Sequence, residues 1–267
     1  MGQYVELGSV RTWYEAEGAG DPLLLLHGGL CTNETWGAQR PDFAARYRVF
    51  LPERRGHGRT PDVAGPFSYQ DMADDTIAFI EAVVGASAHL VGWSDGGIVA
   101  LLVAIARPDL VRKVVAMGAN FLPGPVSTAA PQMFDAMAAD SADMAFFREA
   151  YGAVSPDGAD HWPVVVRKEA DMIRTQPTIP AEALARMGMP TLVLVGDDDL
   201  ITLEHTIALY RAIPDSQLAV VPGTSHGLPL EKPGLVNQLI LDFLTNDPGP
   251  TVFPVRRAAN TSAGGLA

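Results

Sequence analysis

Ala88-His89-Leu90-Val91-Gly92-Trp93-Ser94-Asp95-Gly96-Gly97-Ile98-Val99-Ala100-Leu101-Leu102-Val103-Ala104-Ile105-Ala106-Arg107 is the stretch on which the reading of this chain turns. Its first residues form a short apolar run that suits a buried strand. Its last residues, rich in Ala and Leu, suit a buried helix. Between them stands Gly-x-Ser-x-Gly, the pattern of a tight strand-to-helix turn that lifts a serine hydroxyl out of a sheet. Gly92 and Gly96 fit such a turn because side chains would crowd it. Ser94 would also stand at a helix N-terminus, where free N–H groups and the helix dipole favour negative charge.

The same five-residue pattern recurs at Gly223-Thr224-Ser225-His226-Gly227. There it is followed by Leu228-Pro229, and Pro229 is expected to bar a helix from starting. Context therefore selects Ser94 as the candidate nucleophile and leaves Ser225 as a chance match.

Outward from this centre, apolar strand-like runs alternate with helical stretches. Tyr4–Leu7 and Thr12–Glu17 read as a hairpin, and Leu23–Leu26 as a buried strand running into His27-Gly28-Gly29-Leu30. Thr35–Ala45 reads as a helix and Tyr47–Leu51 as a strand. Ser68 is placed to cap a helix from Tyr69 to about Val84, with Asp71 in its first turn. Val111–Met117, Thr191–Val195 and Gln217–Val221 read as further strands. Leu203–Ile213 reads as a helix, and Pro233 opens a last one. Such alternation predicts an α/β fold with a mostly parallel, doubly wound sheet. The alternation stops at 121–187, which predicts a helical cap inserted into a core made of 1–120 and 188–246. Residues 247–267 hold small and polar residues and are expected to form a loose tail.

A serine hydroxyl needs a base, and the base needs an orienting carboxylate. After Ser94, an apolar strand ends in Asp197-Asp198-Asp199, and another ends in the loop that carries His226. The order Ser, acid, His matches the order used in this type of fold. His226 is the candidate base. Asp199 is the favoured acid, with Asp198 next, and the remaining aspartates could cap the helix that begins near Leu203. Three consecutive acids lack the alternating spacing of a calcium loop, so no metal is expected. His27 and His57 precede the serine in glycine turns and read as loop-bonding residues. The oxyanion calls for N–H donors. These are expected from the backbone of Asp95 and of Gly29.

Taken together, these residues resemble the α/β-hydrolase superfamily, in particular its small capped esterases and lactonases. The resemblance spans residues 4–245. It rests on His27-Gly28-Gly29, Arg55-Gly56-His57-Gly58, Gly92-Trp93-Ser94-Asp95-Gly96-Gly97, Gly196-x-x-Asp199 and Gly223-x-x-His226. It implies that the acid lies three residues after Gly196, which supports Asp199. The family usually has Asp before the Arg-Gly-His-Gly loop, whereas Glu53 and Arg54 stand there in this chain. Serine at 94, where some relatives carry aspartate, argues against dehalogenase and epoxide hydrolase chemistry. Trp-Ser-Asp-Gly-Gly also looks like enzymes that cleave amino-acid esters. Asp95, which follows Ser94 at the first turn of the helix, has two open readings: a carboxylate tied to nearby backbone N–H groups or favoured by the helix dipole, or one that pairs with a cationic group on the substrate.

Composition bounds the rest. The chain has 267 residues, 48% of them hydrophobic, enough for one large domain with an insertion. Asp plus Glu outnumber Lys plus Arg, 31 to 19, for a net charge of −12. That balance repels phosphate backbones and disfavours nucleic acid as a partner. Cys31 is the sole cysteine, so no intrachain disulfide forms, which fits a cytoplasmic location. The N-terminus has no signal pattern and no apolar run spans a bilayer.

The expected activity is hydrolysis of a carboxylic ester or lactone of a small, largely apolar molecule through an acyl-enzyme, with no cofactor. Leu30, Trp93, Met133, Met137, Phe147 and Trp162 are the expected pocket lining. Amide or carbon–carbon hydrolysis, acyl transfer and perhydrolysis use the same triad and stay open, as does a ligand-binding receptor with little turnover. The oligomeric state is not legible.

Overall fold

The computed structural model describes residues 2–124, 142–247 and 251–253. Eight strands form one sheet: β1 (Gln3–Leu7), β2 (Val10–Glu17), β3 (Pro22–Leu26), β4 (Arg48–Pro52), β5 (Ala88–Trp93), β6 (Val111–Met117), β7 (Thr191–Asp198) and β8 (Ser216–Ser225). Their spatial order is β1-β2-β4-β3-β5-β6-β7-β8. The pairs β1/β2 and β2/β4 are antiparallel, and the other five are parallel. The expected α/β fold with a mostly parallel, doubly wound sheet is the observed one.

The near-continuous apolar strands are what a sheet covered on both faces requires. Period-two alternation divides them between two cores. Leu24, Leu26, Leu90, Val114, Ala116 and Val193 join the core on one face. Leu23, Leu25, Val91, Val115, Leu192 and Leu194 join the core on the other. The helix Asp95–Ala106 packs on the first face, and Val236, Ile240, Phe243 and Leu244 of the helix Pro233–Thr245 pack on the second. Leu23 to Leu26 are fully excluded from solvent. Each such leucine is worth roughly 2 kcal/mol relative to exposure.

Connectivity positions the site. After β3 the chain steps to β4 on one side, then crosses back to β5 on the other. The crevice beyond the C-terminal ends of β3 and β5 is therefore a topological switch point, where open α/β sheets bind ligands. The His27-Gly28-Gly29 turn leaves β3 there, and Ser94 leaves β5.

Two local expectations need revision, and a third is met with a change of winding. Thr35–Ala45 is not one helix but a tight turn at Asn33–Trp36 and a short helix at Arg40–Ala44. Gly37 favours a break, and Pro41 has no N–H to give a helix interior, so it sits in the first turn of a new one. The helix capped by Ser68, whose Oγ accepts the Asp71 N–H at 3.4 Å, is α-helical to Phe79 and ends in a wider turn over Ile80–Val84. Pro229 does not bar a helix: a one-turn helix, Leu228–Glu231, begins there with the proline in its first turn, where its missing N–H costs nothing.

Between β6 and β7 no strand occurs among the described residues. Helices lie at Ala145–Val154, Trp162–Thr175 and Ala181–Leu184. Met133 and Met137 fall outside the described residues, as does most of the 247–267 tail.

Candidate active site

Ser94 adopts φ +54°, ψ −120°, a left-handed conformation costly for a non-glycine residue. Close packing holds it there. The Ser94 N–H donates to the Met117 carbonyl at 2.7 Å, and the Ser94 carbonyl accepts the Gly97 N–H at 2.8 Å. A methyl group on Gly92 would run into the Gly96 carbonyl, and one on Gly96 into the Leu26 carbonyl. The elbow therefore requires both glycines. Ser225 has no such geometry, and its Oγ is spent on Glu231 at 2.5 Å.

The structure brings Ser94, His226 and Asp199 into one chain of hydrogen bonds. His226 Nε2 lies 2.9 Å from Ser94 Oγ, and His226 Nδ1 lies 2.7 Å from Asp199 Oδ1. The Asp199 side chain is fully buried, and its carboxylate also accepts the Ile201 N–H at 3.0 Å. That fixed carboxylate makes Nδ1 the protonated nitrogen and leaves Nε2 free to accept from serine. Asp197 and Asp198 point elsewhere: both are exposed, and Asp197 accepts the Thr224 N–H at 3.0 Å. Neither caps the next helix, because Thr202 does so through the His205 N–H at 3.3 Å. Gly118, with φ +57°, lets His226 close in, since a Cβ there would lie 3.0 Å from the imidazole.

Gly28 lies beside the serine: a Cβ on it would stand 3.5 Å from Ser94 Cβ. Gly29 and the left-handed Leu30 (φ +56°) follow directly. Leu30 and Trp93 are both buried, at 6% and 7% exposure. The Trp93 indole donates to the His226 carbonyl at 2.8 Å. Phe147 is half-buried, whereas Trp162 is buried against Tyr151, with ring centroids 5.5 Å apart. Trp162 belongs to the same buried apolar cluster as Leu30 and Tyr151.

Asp95 is tied by side chains rather than by backbone N–H groups. The Tyr69 hydroxyl donates to Asp95 Oδ1 at 2.7 Å, and Arg54 Nη2 lies 3.8 Å from Oδ2. The other carboxyl in this cluster belongs to Glu169, on the helix Trp162–Thr175. Glu169 is 0% exposed, and its carboxyl lies 3.7 Å from His57 Nε2. A Cβ on Gly29 would collide with Glu169 Oε1 and stand 2.8 Å from Asp95 Oδ2, so the two acids meet over the glycine. Burial, and then the Asp95 charge, push the Glu169 carboxyl well above the usual carboxylate range. Burial works against Asp95 too, but the Glu169 hydrogen bond, the Arg54 charge and the Tyr69 hydroxyl hold it below that range. His57 is held neutral by burial, down to about 4.

Arg54, Tyr69 and Glu169 escaped the sequence reading. Glu169 had a signal: on its helix, Trp162, Val165, Val166, Glu169, Ala170 and Met172 are the buried positions, so one acid sits in an otherwise apolar stripe. His27 and His57 bond their own loops, as expected: the His27 Nδ1–H donates to the Gly28 carbonyl at 2.8 Å, and His57 Nδ1 contacts the Arg55 carbonyl at 2.9 Å. Glu53 serves its loop from the position where aspartate was expected, accepting the Arg59 N–H at 2.6 Å and the Asn33 N–H at 3.2 Å. Among the described residues no group of three His, Cys, Asp or Glu could hold a metal ion, and no helix is long and apolar enough to cross a membrane.

Residues 23–239 match the sequence model of the alpha/beta hydrolase family. A putative carbamate hydrolase, RutD, from Azorhizobium caulinodans is 26% identical over 257 residues, which cover 90% of this chain and 97% of the relative. Serine hydrolase BPHL from Homo sapiens is 29% identical over 252 residues, covering 90% of this chain and 85% of the relative. Among solved structures, a thermophilic esterase from Thermogutta terrifontis is similar, with a TM-score of 0.69 and 28% identity over 91% of this chain and 98% of that one.

Proposed function

Because this chain belongs to the alpha/beta hydrolase family, we propose that it is a serine hydrolase that cleaves a carboxylic ester or lactone of a small, largely apolar molecule. Ser94 Oγ attacks the carbonyl carbon while His226 Nε2 takes its proton. Asp199 keeps the imidazole in the required tautomer and stabilises it once charged. The oxyanion accepts the N–H groups of Gly29 and Asp95, the latter at the start of a helix. When the intermediate collapses, His226 returns the proton to the leaving alkoxide, and Ser94 carries the acyl group. Water then loses a proton to His226 and attacks, releasing the acid and restoring Ser94. In this reading residues 121–187 form a cap over the strand ends, and Leu30, Trp93 and Phe147 border the acyl group.

The observation that carries this reading is the unbroken Asp199–His226–Ser94 chain of hydrogen bonds, anchored on a strained elbow. The esterase similarity supports the choice of bond. The likeness to a protein named as a carbamate hydrolase favours a second reading, in which the same residues act on a carbamate. A panel of ester, lactone, amide and carbamate substrates, assayed on wild type and Ser94→Ala, tests both. The first reading requires ester or lactone turnover that vanishes in Ser94→Ala. Carbamate turnover that exceeds the ester rates selects the second.

A further inference from the structure

Arg54 is an arginine in an unusual place: it follows β4, is 5% exposed, and spends its guanidinium on backbone carbonyls. Nη1 donates to the His27 carbonyl, and Nη2 donates to the Gly28 carbonyl at 3.0 Å. The Gly28 carbonyl also accepts the His27 Nδ1–H at 2.8 Å and the Cys31 N–H at 3.3 Å. Three donors on one carbonyl fix that peptide plane. The Gly28 carbonyl and the Gly29 N–H belong to one trans peptide, so they point in opposite directions. Pulling the carbonyl into the buried guanidinium turns the Gly29 N–H outward, on the segment that flanks Ser94. Hydrogen bonds to a carbonyl also polarise its amide and strengthen the N–H as a donor, by roughly 10–30% per bond. The next residue, Leu30, sits at φ +56°, a strained conformation that persists only where the surroundings over-determine it.

We propose that Arg54 is a positioning residue of the oxyanion hole: its guanidinium clamps the His27 and Gly28 carbonyls and so aims the Gly29 N–H at the oxyanion. The proposal rests on the hydrolase reading above. The arginine also faces Asp95 across 3.8 Å, so one group orders the loop and offsets the negative charge beside it. Lysine cannot replace it, because an ammonium lacks the planar fork that reaches two successive carbonyls at once.

The test compares Arg54→Lys and Arg54→Met with wild type on a short p-nitrophenyl ester that wild type hydrolyses. It measures kcat/KM, the inhibition constant of a boronic acid that forms a tetrahedral adduct on serine, and the inhibition constant of the carboxylic acid product. Complete loss of one oxyanion donor costs about 10²–10³ in rate. A misaimed donor in Arg54→Lys should therefore lower kcat/KM by roughly 10–10²-fold and weaken the boronic acid by a similar factor. Product binding should change by less than about threefold. Equal loss of product and boronic acid affinity marks Arg54 as merely structural and overturns the proposal, as does unchanged kcat/KM. If neither variant folds, a crystal structure of the wild-type boronic acid adduct decides. A boronate oxygen within about 3.1 Å of Gly29 N, with Arg54 still on the Gly28 carbonyl, upholds the proposal. An oxygen turned away from Gly29 ends it. Ser94→Ala, run in parallel, separates the two levels: full turnover there removes the hydrolase reading itself.

Discussion

The Trp93 indole N–H donates to the backbone carbonyl of His226 at 2.8 Å. The residue before the proposed nucleophile thus holds the residue proposed as its base, across 133 positions of sequence. Trp93→Phe keeps an aromatic ring in the core but deletes this donor together with part of the indole's buried volume. One neutral hydrogen bond is worth about 1 kcal/mol, so Tm should fall by at least roughly 2–4 °C. A loosened His226 should lower kcat about 3- to 10-fold, since small misplacements are amplified at the reacting atoms. Thermal melts and ester kinetics check this. Unchanged kcat would mean that Asp199 alone fixes the imidazole.

Asp199→Asn should cost far more activity than Asp198→Asn. Asp199 is buried on His226 Nδ1 at 2.7 Å, whereas Asp198 is exposed. An asparagine at 199 that turns its amide N–H to the imidazole forces the wrong tautomer, a loss on the order of 10³–10⁴ in kcat. Asp198→Asn should stay within about twofold of wild type, as surface changes away from such networks usually do. The larger loss at 198 would refute the assignment.

How far this was legible in the sequence follows from the range of the interactions. The parallel sheet was legible because each strand is a short apolar run, and period two sorts it into two cores without further information. The elbow was legible because strand, glycines, serine and helix are contiguous. Thr35–Ala45 is not one helix because Gly37 and Pro41 fall inside it, and the chain restarts as a helix with Pro41 in the first turn. Pro229 tolerates a helix because it sits in the first turn, where a missing N–H breaks no intrahelical bond. Arg54 and Glu169 stayed hidden for a different reason. Their partners, the Gly28 carbonyl and the Asp95 carboxyl, lie 26 and 74 residues away, and only the folded chain brings them together.

Glu169 should make stability fall as pH rises. Its folded pKa is raised well above the ordinary 4.5 by burial and by Asp95. Below the unfolded value both states are protonated. Above it the unfolded chain releases a proton that the folded chain keeps, so stability declines up to the folded pKa. Glu169→Gln cannot ionise and can still donate to Asp95. Its stability relative to wild type should therefore improve steadily from pH 5 to pH 8 in urea titrations. A pH-independent difference between the two proteins would show that Glu169 is already ionised at pH 5.

His205 should act in the opposite sense. It accepts the Phe121 N–H at 3.0 Å through Nε2 and stacks on the Phe121 ring, with centroids 4.2 Å apart. Burial lowers it from 6.5 to about 4. As pH falls from 6.5 to about 4 the unfolded chain takes up a proton that the folded chain refuses. Stability is lost across that window, at a limiting slope of about 1.4 kcal/mol per pH unit. His205→Gln can accept the same N–H without titrating. Urea unfolding at pH 7, 6 and 5 should show a shallower loss in the variant than in wild type, whatever the offset at pH 7. Parallel slopes would rule out this contribution.

Asp62 should decide how firmly the helical segment before β7 sits on the sheet. Its carboxylate accepts Lys168 Nζ at 2.7 and 2.8 Å and contacts His161 Nε2 at 2.8 Å, both from beyond residue 121. Its own N–H donates to Asp157 Oδ2 at 2.7 Å. One core-loop residue thus gathers three residues of the proposed cap. The Asp62 carboxylate is only 7% exposed, so removing it leaves a lysine partly buried without its counter-charge. Breaking such a pair costs a few kcal/mol when buried and about 1 kcal/mol or less at a surface. This site lies between the two, because Lys168 is 17% exposed. Asp62→Ala should therefore speed limited proteolysis within 121–187 while the urea midpoint of the whole chain moves little. If that segment covers the substrate, KM should rise more for a long acyl ester than for an acetate ester, with kcat nearly constant. Equal changes in KM for both esters would separate Asp62 from substrate selection and leave it a purely structural tie.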